Sequence, residues 1–243
     1  MNQVERDKIV QNERSGGWMP GGKVRTHHQT GLRGNRVLNP AKRLAQRQQI
    51  LLAMASVVAR RGYDATTLDD VADEMGCTKG VIYYQFRSKA EIYVAMVDQV
   101  NRAALDRLNA IASSDEAPAR QLHKALADLV RAGWQPMDYA AIRIRRPASI
   151  PEEDRLYLRS LDREYDHLFT SIVARGMESG EFSRRNPRLV GLTLINAVHS
   201  IFRWARPDGE ITPEAFEREI PAMLLQGVLD NERSTRTRLA PGI

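Results

Sequence analysis

Residues 65 to 89 read Ala65-Thr-Thr-Leu-Asp-Asp-Val-Ala-Asp-Glu-Met-Gly-Cys-Thr-Lys-Gly-Val-Ile-Tyr-Tyr-Gln-Phe-Arg-Ser-Lys89. This stretch decides the fold. It predicts two short helices joined by a tight turn. Thr67 suits the N-cap of the first, with Asp70 three residues on as the reciprocal acid of a capping box. Leu68, Val71, Ala72 and Met75 recur at helical spacing and give one apolar face. Gly76 follows, where a left-handed backbone ends a helix without a Cβ penalty. Thr78 can cap the second helix, which carries Val81, Ile82 and Phe86 inward. Lys79, Tyr83, Tyr84 and Gln85 project elsewhere. A short helix with a polar, aromatic and cationic face, held by a second short helix, is what insertion into a DNA groove needs.

The charge distribution agrees with that reading. The chain has 243 residues, a hydrophobic content of 42% and a net charge of +6. Residues 1–47 contain ten Lys and Arg and three acids, which leaves 26 basic and 27 acidic residues in the rest. The basic surplus therefore sits beside the suspected recognition unit and points to a polyanionic partner. The single cysteine, Cys77, excludes an intrachain disulfide, fits a reducing compartment, and reads as a small space-filler in the turn. No apolar run reaches membrane-spanning length and no signal-peptide core is present, so no membrane partner and a cytoplasmic location are expected.

Moving outward, residues 1–41 are polar, basic and glycine-rich without helical or alternating period, and are expected to form a disordered basic extension. They fit either a leader with no specific role or an arm that follows the DNA backbone. His27-His28 lacks further ligands nearby and reads as solvated loop. A helix is expected over about 40–61, with Pro40 in its first turn, an apolar stripe through Ile50, Leu51, Met54, Val57 and Val58, Arg60-Arg61 at its C-terminus and Gly62 ending it. Ser88 and Glu91 form a second candidate capping box, opening a long helix to about 112. Further helices are expected at about 118–132, 137–146, 151–179, 186–205 and 212–230, punctuated by Gly133, Pro136, Pro147, Gly180 and Pro207-Asp-Gly209. The tail from 231 is polar and expected to be flexible. No strand and no repeat is expected.

The segment Ile50 to Val97 resembles the N-terminal domain of the TetR family of bacterial transcriptional regulators. The match runs through Ala59-Arg60-Arg61-Gly62-Tyr63, Ala65-Thr66-Thr67-Leu68-Asp69-Asp70-Val71-Ala72, Gly76-Cys77-Thr78-Lys79-Gly80-Val81-Ile82-Tyr83-Tyr84-Gln85-Phe86 and Ser88-Lys89-Ala90-Glu91. It departs at Val81 and Gln85. The resemblance implies an all-α fold: a three-helix helix-turn-helix DNA-binding domain over 42–92, and a helical ligand-binding and dimerisation domain over 93–230. It implies a homodimer, formed through about 186–205 and 212–230, that sets two recognition helices on a palindromic double-stranded DNA operator. Half-sites would lie roughly 34–36 Å apart, or a multiple of that. More weakly, Arg203-Trp204-Ala205-Arg206-Pro207-Asp208-Gly209 and Ile211-Thr212-Pro213-Glu214 resemble regulators of fatty-acid and steroid catabolism, several of which respond to acyl-CoA thioesters.

These readings nominate Thr67, Thr78, Lys79, Gly80, Tyr83, Tyr84, Gln85 and Lys89 as DNA contacts. Lys79 and Lys89 suit phosphates. Gln85 suits an adenine edge or a phosphate. Thr67 and Thr78 can cap, contact phosphate, or do both. For a ligand pocket the candidates are Trp134, Tyr139, Arg143, Tyr165, Phe169, Asn196, His199 and Trp204, each of which also fits plain packing in the core or a dimer interface. Arg143 to Arg146 could meet a CoA phosphate or be a solvated helix end. The expected function is a ligand-responsive transcriptional regulator, most simply a repressor released by a small hydrophobic effector. The alternatives are an effector-independent architectural DNA binder and an all-helical enzyme. Against the enzyme, no paired carboxylates, Cys/His cluster, metal spacing or Gly-rich phosphate loop stands out, and no cofactor is expected.

Overall fold

The structure is a computed structural model that describes residues 40–143, 147–206 and 208–229. The expected N-terminal extension, His27-His28 and the tail lie outside the described residues. Among the described residues nine helices run in order: α1 Pro40–Arg61, α2 Leu68–Glu74, α3 Lys79–Gln85, α4 Lys89–Ala112, α5 Pro118–Gly133, α6 Pro136–Arg143, α7 Glu152–Glu178, α8 Pro187–Ile201 and α9 Pro213–Gln226. Among the described residues the only extended pairing is an isolated bridge between Phe182 and Leu229.

Local chemistry accounts for the helix ends. Thr67 and Asp70 form the full capping box of α2. Gly62 and Gly76 end α1 and α2 at φ +78 and +61, where any other residue would bring its Cβ against the backbone. Ser88 accepts from the Glu91 amide, but the Glu91 carboxylate reaches the N–H of Arg87 rather than that of Ser88. Asn186 and Thr212 cap α8 and α9, each followed by a proline in the first turn. Thr78 is the exception. Its backbone has N-cap geometry, yet its hydroxyl makes no capping hydrogen bond.

Two cores form. The first gathers Ile50, Met54 and Val58 of α1, Val71 and Ala72 of α2, Ile82 and Phe86 around α3, and Ile92, Tyr93 and Met96 of α4. It continues into Leu158 and Leu161 of α7, so packing does not stop at the expected boundary near residue 92. The second gathers α5, α7, α8 and α9 around Leu126, Phe169, Ile172, Val198, Phe202 and Phe216. Burying each such aromatic or aliphatic side chain contributes about 1.5–3 kcal/mol. Two glycines inside helices are explained by these rings. A Cβ on Gly133 would lie 2.2 Å from Phe202, and one on Gly176 would lie 2.2 Å from Phe182.

Candidate DNA interface and effector cavity

The α2–α3 unit is pinned to the end of α1 by two ion pairs. Arg60 Nη2 lies 2.5 Å from Glu74, which also accepts from the Ser56 hydroxyl at 2.7 Å. Arg61 pairs with Asp70. The hydrogen bond from Thr67, reinforced by Arg61, holds the Asp70 carboxyl below its usual range. The two arginines therefore fix α1 against α2, beyond the helix-end role the sequence suggested.

On this frame α3 turns Ile82 and Phe86 into the core, while Val81 is half-buried. Tyr83 and Tyr84 are both exposed, at 54% and 56%. Neither packs inward, although adjacent positions allowed one of them to. Gly80 is exposed, and an added Cβ would meet nothing closer than the Thr78 hydroxyl at 3.7 Å, so the fold itself has no need of a glycine there. Lys79 Nζ pairs with Asp69 at 2.7 Å, and this hydrogen bond raises its pKa. The pair is exposed, so its net attraction is small, and exchanging Asp69 for a phosphate is inexpensive.

Two expected DNA contacts are placed differently. Gln85 is buried and its amide Nε2 donates to the Arg43 carbonyl at 3.3 Å and to Gln46 Oε1 at 3.1 Å, tying α3 to α1. With its donors facing α1, it does not present an edge to an adenine. Lys89 Nζ donates to the carbonyls of Tyr63 at 2.9 Å and Thr66 at 2.8 Å, and lies 4.4 Å from the Tyr63 ring centroid. It holds the α1–α2 loop, and its ammonium hydrogens are spent there rather than on a phosphate.

Deeper in the chain, a cavity of about 370 Å³ opens between α4, α5, α6, α7 and α8. From the nominated residues it collects Tyr165, Asn196 and His199. Burial pushes the Tyr165 hydroxyl up and lowers the His199 pKa, leaving a neutral imidazole. The other nominees lie elsewhere. Phe169 is fully buried, stacked on Tyr165 at 6.3 Å. Trp204 is 61% exposed, against Phe216. Trp134 and Tyr139 border a separate groove beside α1, and Trp134 Nε1 is buried without an acceptor among the described residues. The Arg143 side chain lies outside the described residues.

The cavity also holds polar groups that the sequence reading missed: Asn101 and Arg107 of α4, Asp128 of α5, Asp138 of α6, and Asp162 and Asp166 of α7. Arg107 Nε donates to both Asp128 oxygens at 3.0 and 2.9 Å. Burial raises Asp138 to about 6, and raises Asp166 as well. The signal was present in the spacing. Asp162, Tyr165, Asp166 and Phe169 follow the i, i+3, i+4, i+7 rule of an inward face, so the aspartates interrupt an otherwise apolar stripe.

A braced pair of short helices exposing two tyrosines, carried on a helical domain with a polar-studded cavity, defines a helix-turn-helix DNA-binding regulator. Residues 50–96 match the family described as bacterial regulatory proteins, tetR family, and residues 115–228 match the tetracyclin repressor-like C-terminal domain. The chain belongs to the TetR family of bacterial transcriptional regulators, and it is not an enzyme. A TetR/AcrR regulator from Thermobifida fusca shares 30% identity and superposes with a TM-score of 0.59 over 75% of this chain and 98% of that one. The transcriptional repressor KstR2 of Rhodococcus jostii is 28% identical over 75% of this chain and 91% of its own. The structure of AibR in complex with isovaleryl coenzyme A and operator DNA shares the fold, at 19% identity and a TM-score of 0.65 over 74% of this chain and 98% of that one. No helix among the described residues is long and apolar enough to cross a membrane, and no group of three or more His, Cys, Asp or Glu there could hold a metal.

Proposed function

We propose that the protein is a homodimeric repressor that binds a palindromic operator through α3 and is released when a small apolar effector, of the acyl-CoA thioester class, enters the cavity. The observation that carries this reading is the position of Tyr93. It lines the cavity and also packs edge-on to Tyr63 at 5.1 Å within the first core. An effector that displaces α4 at Tyr93, Val97 or Val100 therefore acts on the helix that only three residues separate from α3. Release is a shift between two populations, and its size is limited by the effector's differential affinity for them. The DNA-facing set is Thr67, Thr78, Lys79, Gly80, Tyr83 and Tyr84.

Leu189 on α8 and Met223 on α9 are exposed at 67% and 60%. Their exposure supports a dimer interface on these two helices. The thioester class is supported by AibR, which was crystallised with isovaleryl coenzyme A and operator DNA. The repressor sense is supported by KstR2. An operator-release assay over acyl-CoAs, with sedimentation to fix the oligomer, tests the reading. Specific operator binding that no ligand relieves would favour the effector-independent alternative.

A further inference from the structure

Much of the polar lining of the cavity is spent on itself. Arg107 Nε donates to both oxygens of Asp128, and Asn101 Nδ2 donates to Asp162 at 3.1 Å, each bond joining two helices across the wall. Arg107 keeps one further donor, Nη2, without an acceptor among the described residues, but that atom is sealed inside the protein. A molecule in the cavity does not touch it.

Tyr165 of α7 and His199 of α8 differ from these. Both line the cavity, and neither forms a hydrogen bond with a described residue. Each keeps some accessible surface, yet burial dominates the pKa shift of both, so the surface they show is cavity wall rather than open exterior. A phenol and a neutral imidazole can each donate or accept, so an uncharged carbonyl or hydroxyl suits either. A ligand oxygen placed there gains a bond without taking one from the protein, whereas a hydrocarbon chain would strip water from both groups and return nothing.

We infer that Tyr165 and His199 read an uncharged oxygen on the effector, a carbonyl or hydroxyl, and that the cavity discriminates against plain hydrocarbon at that point. The apolar remainder of the lining holds the body of the molecule, and this pair sets which molecule is accepted. Two sources supply such an oxygen in an acyl thioester: the thioester carbonyl itself, or an oxygen carried further along the chain. This inference rests on the assignment of the cavity as the effector site.

The test is titration calorimetry of the full chain at pH 7.5 with octanoyl-CoA, with its S-octyl thioether analogue, which lacks the thioester carbonyl, and with octanoyl-CoAs hydroxylated at carbon 3, 5 or 7. If the pair holds the thioester oxygen, the thioether is expected to bind about ten-fold more weakly than octanoyl-CoA; if it holds an oxygen further along, one hydroxylated compound is expected to bind about ten-fold more tightly. Tyr165→Phe and His199→Leu should each erase most of whichever gap appears. His199→Gln, which keeps an uncharged donor and acceptor, should restore part of it. Equal affinity across the panel, a gap that survives both Tyr165→Phe and His199→Leu, or no binding by any compound overturns the inference. Oxygen-dependent binding without operator release upholds the inference and refutes the repressor–effector reading. Operator release by every compound alike refutes the inference and leaves that reading standing.

Discussion

Replacing Gln85 separates a structural role on α3 from a base-reading one. The side chain is buried and bridges α3 to α1 through two hydrogen bonds, to the Arg43 carbonyl and Gln46 Oε1. Each such bond contributes roughly 0.5–1.5 kcal/mol net. Residues 43 and 46 are only partly covered, so water can take over part of what Gln85→Ala removes. The expected loss of stability is about 1–2 kcal/mol, which for a chain of this size lowers Tm by roughly 2–8 °C. A looser α3 weakens binding to every operator alike, whereas losing a bidentate base contact costs about 1–3 kcal/mol at one base pair only. The assay is affinity for a panel of single-base operator variants, with a thermal melt alongside. Gln85→Ala should keep the wild-type rank order at uniformly lower affinity. Loss of preference at a single base pair with an unchanged melt would refute the reasoning.

Other outcomes follow from the same geometry. Gly76→Ala should destabilise by roughly 1–2 kcal/mol through its left-handed backbone, since nothing crowds the site, and a urea titration reads this directly. Gly133→Ala should destabilise by roughly 1–3 kcal/mol through overpacking against Phe202, and Phe202→Leu should recover part of the loss. Lys79→Ala should weaken operator binding and lower the magnitude of the log-affinity against log-salt slope by about one, with circular dichroism unchanged. Asp138 carries a raised pKa of about 6, so the fold holds its proton more tightly than the unfolded chain does. Its ionisation destabilises the protein above pH 6, and stability returns as pH falls through 6 towards 4. Asp138→Asn should therefore gain about 1 kcal/mol at pH 7.5 and flatten that part of the pH–stability curve, the gain being limited by water that reaches the cavity.

Much of the fold was legible because its signals are local. Thr67 with Asp70, Gly62, Gly76, Asn186-Pro187 and Thr212-Pro213 each set a helix end through neighbours a few residues away. Periodicity then placed the helices. What sequence could not show depends on distant partners. Helix α3 has only seven residues, too few for periodicity to separate an inward glutamine from a groove-facing one. The partners of Gln85 lie about forty residues earlier, on α1. Lys89 looked like a phosphate contact because its acceptors are backbone carbonyls in the α1–α2 loop, which carry no residue-type signature. The cavity was only partly legible for a similar reason. Aromatic residues were chosen, but Trp134, Tyr139, Phe169 and Trp204 went to the groove, the core or the surface, while the aspartates on inward stripes marked the lining.

The central claim is that the exposed face of α3 reads DNA. The most direct measurement is selection of bound duplexes from a random library, followed by the affinity of a Tyr83→Ala/Tyr84→Ala double variant for the selected site at fixed salt. The proposed dimer predicts enrichment of a palindrome, and the exposed α3 face predicts a loss of at least ten-fold in the variant with its helical content intact. Enrichment of no sequence, or wild-type affinity in the variant, would contradict it.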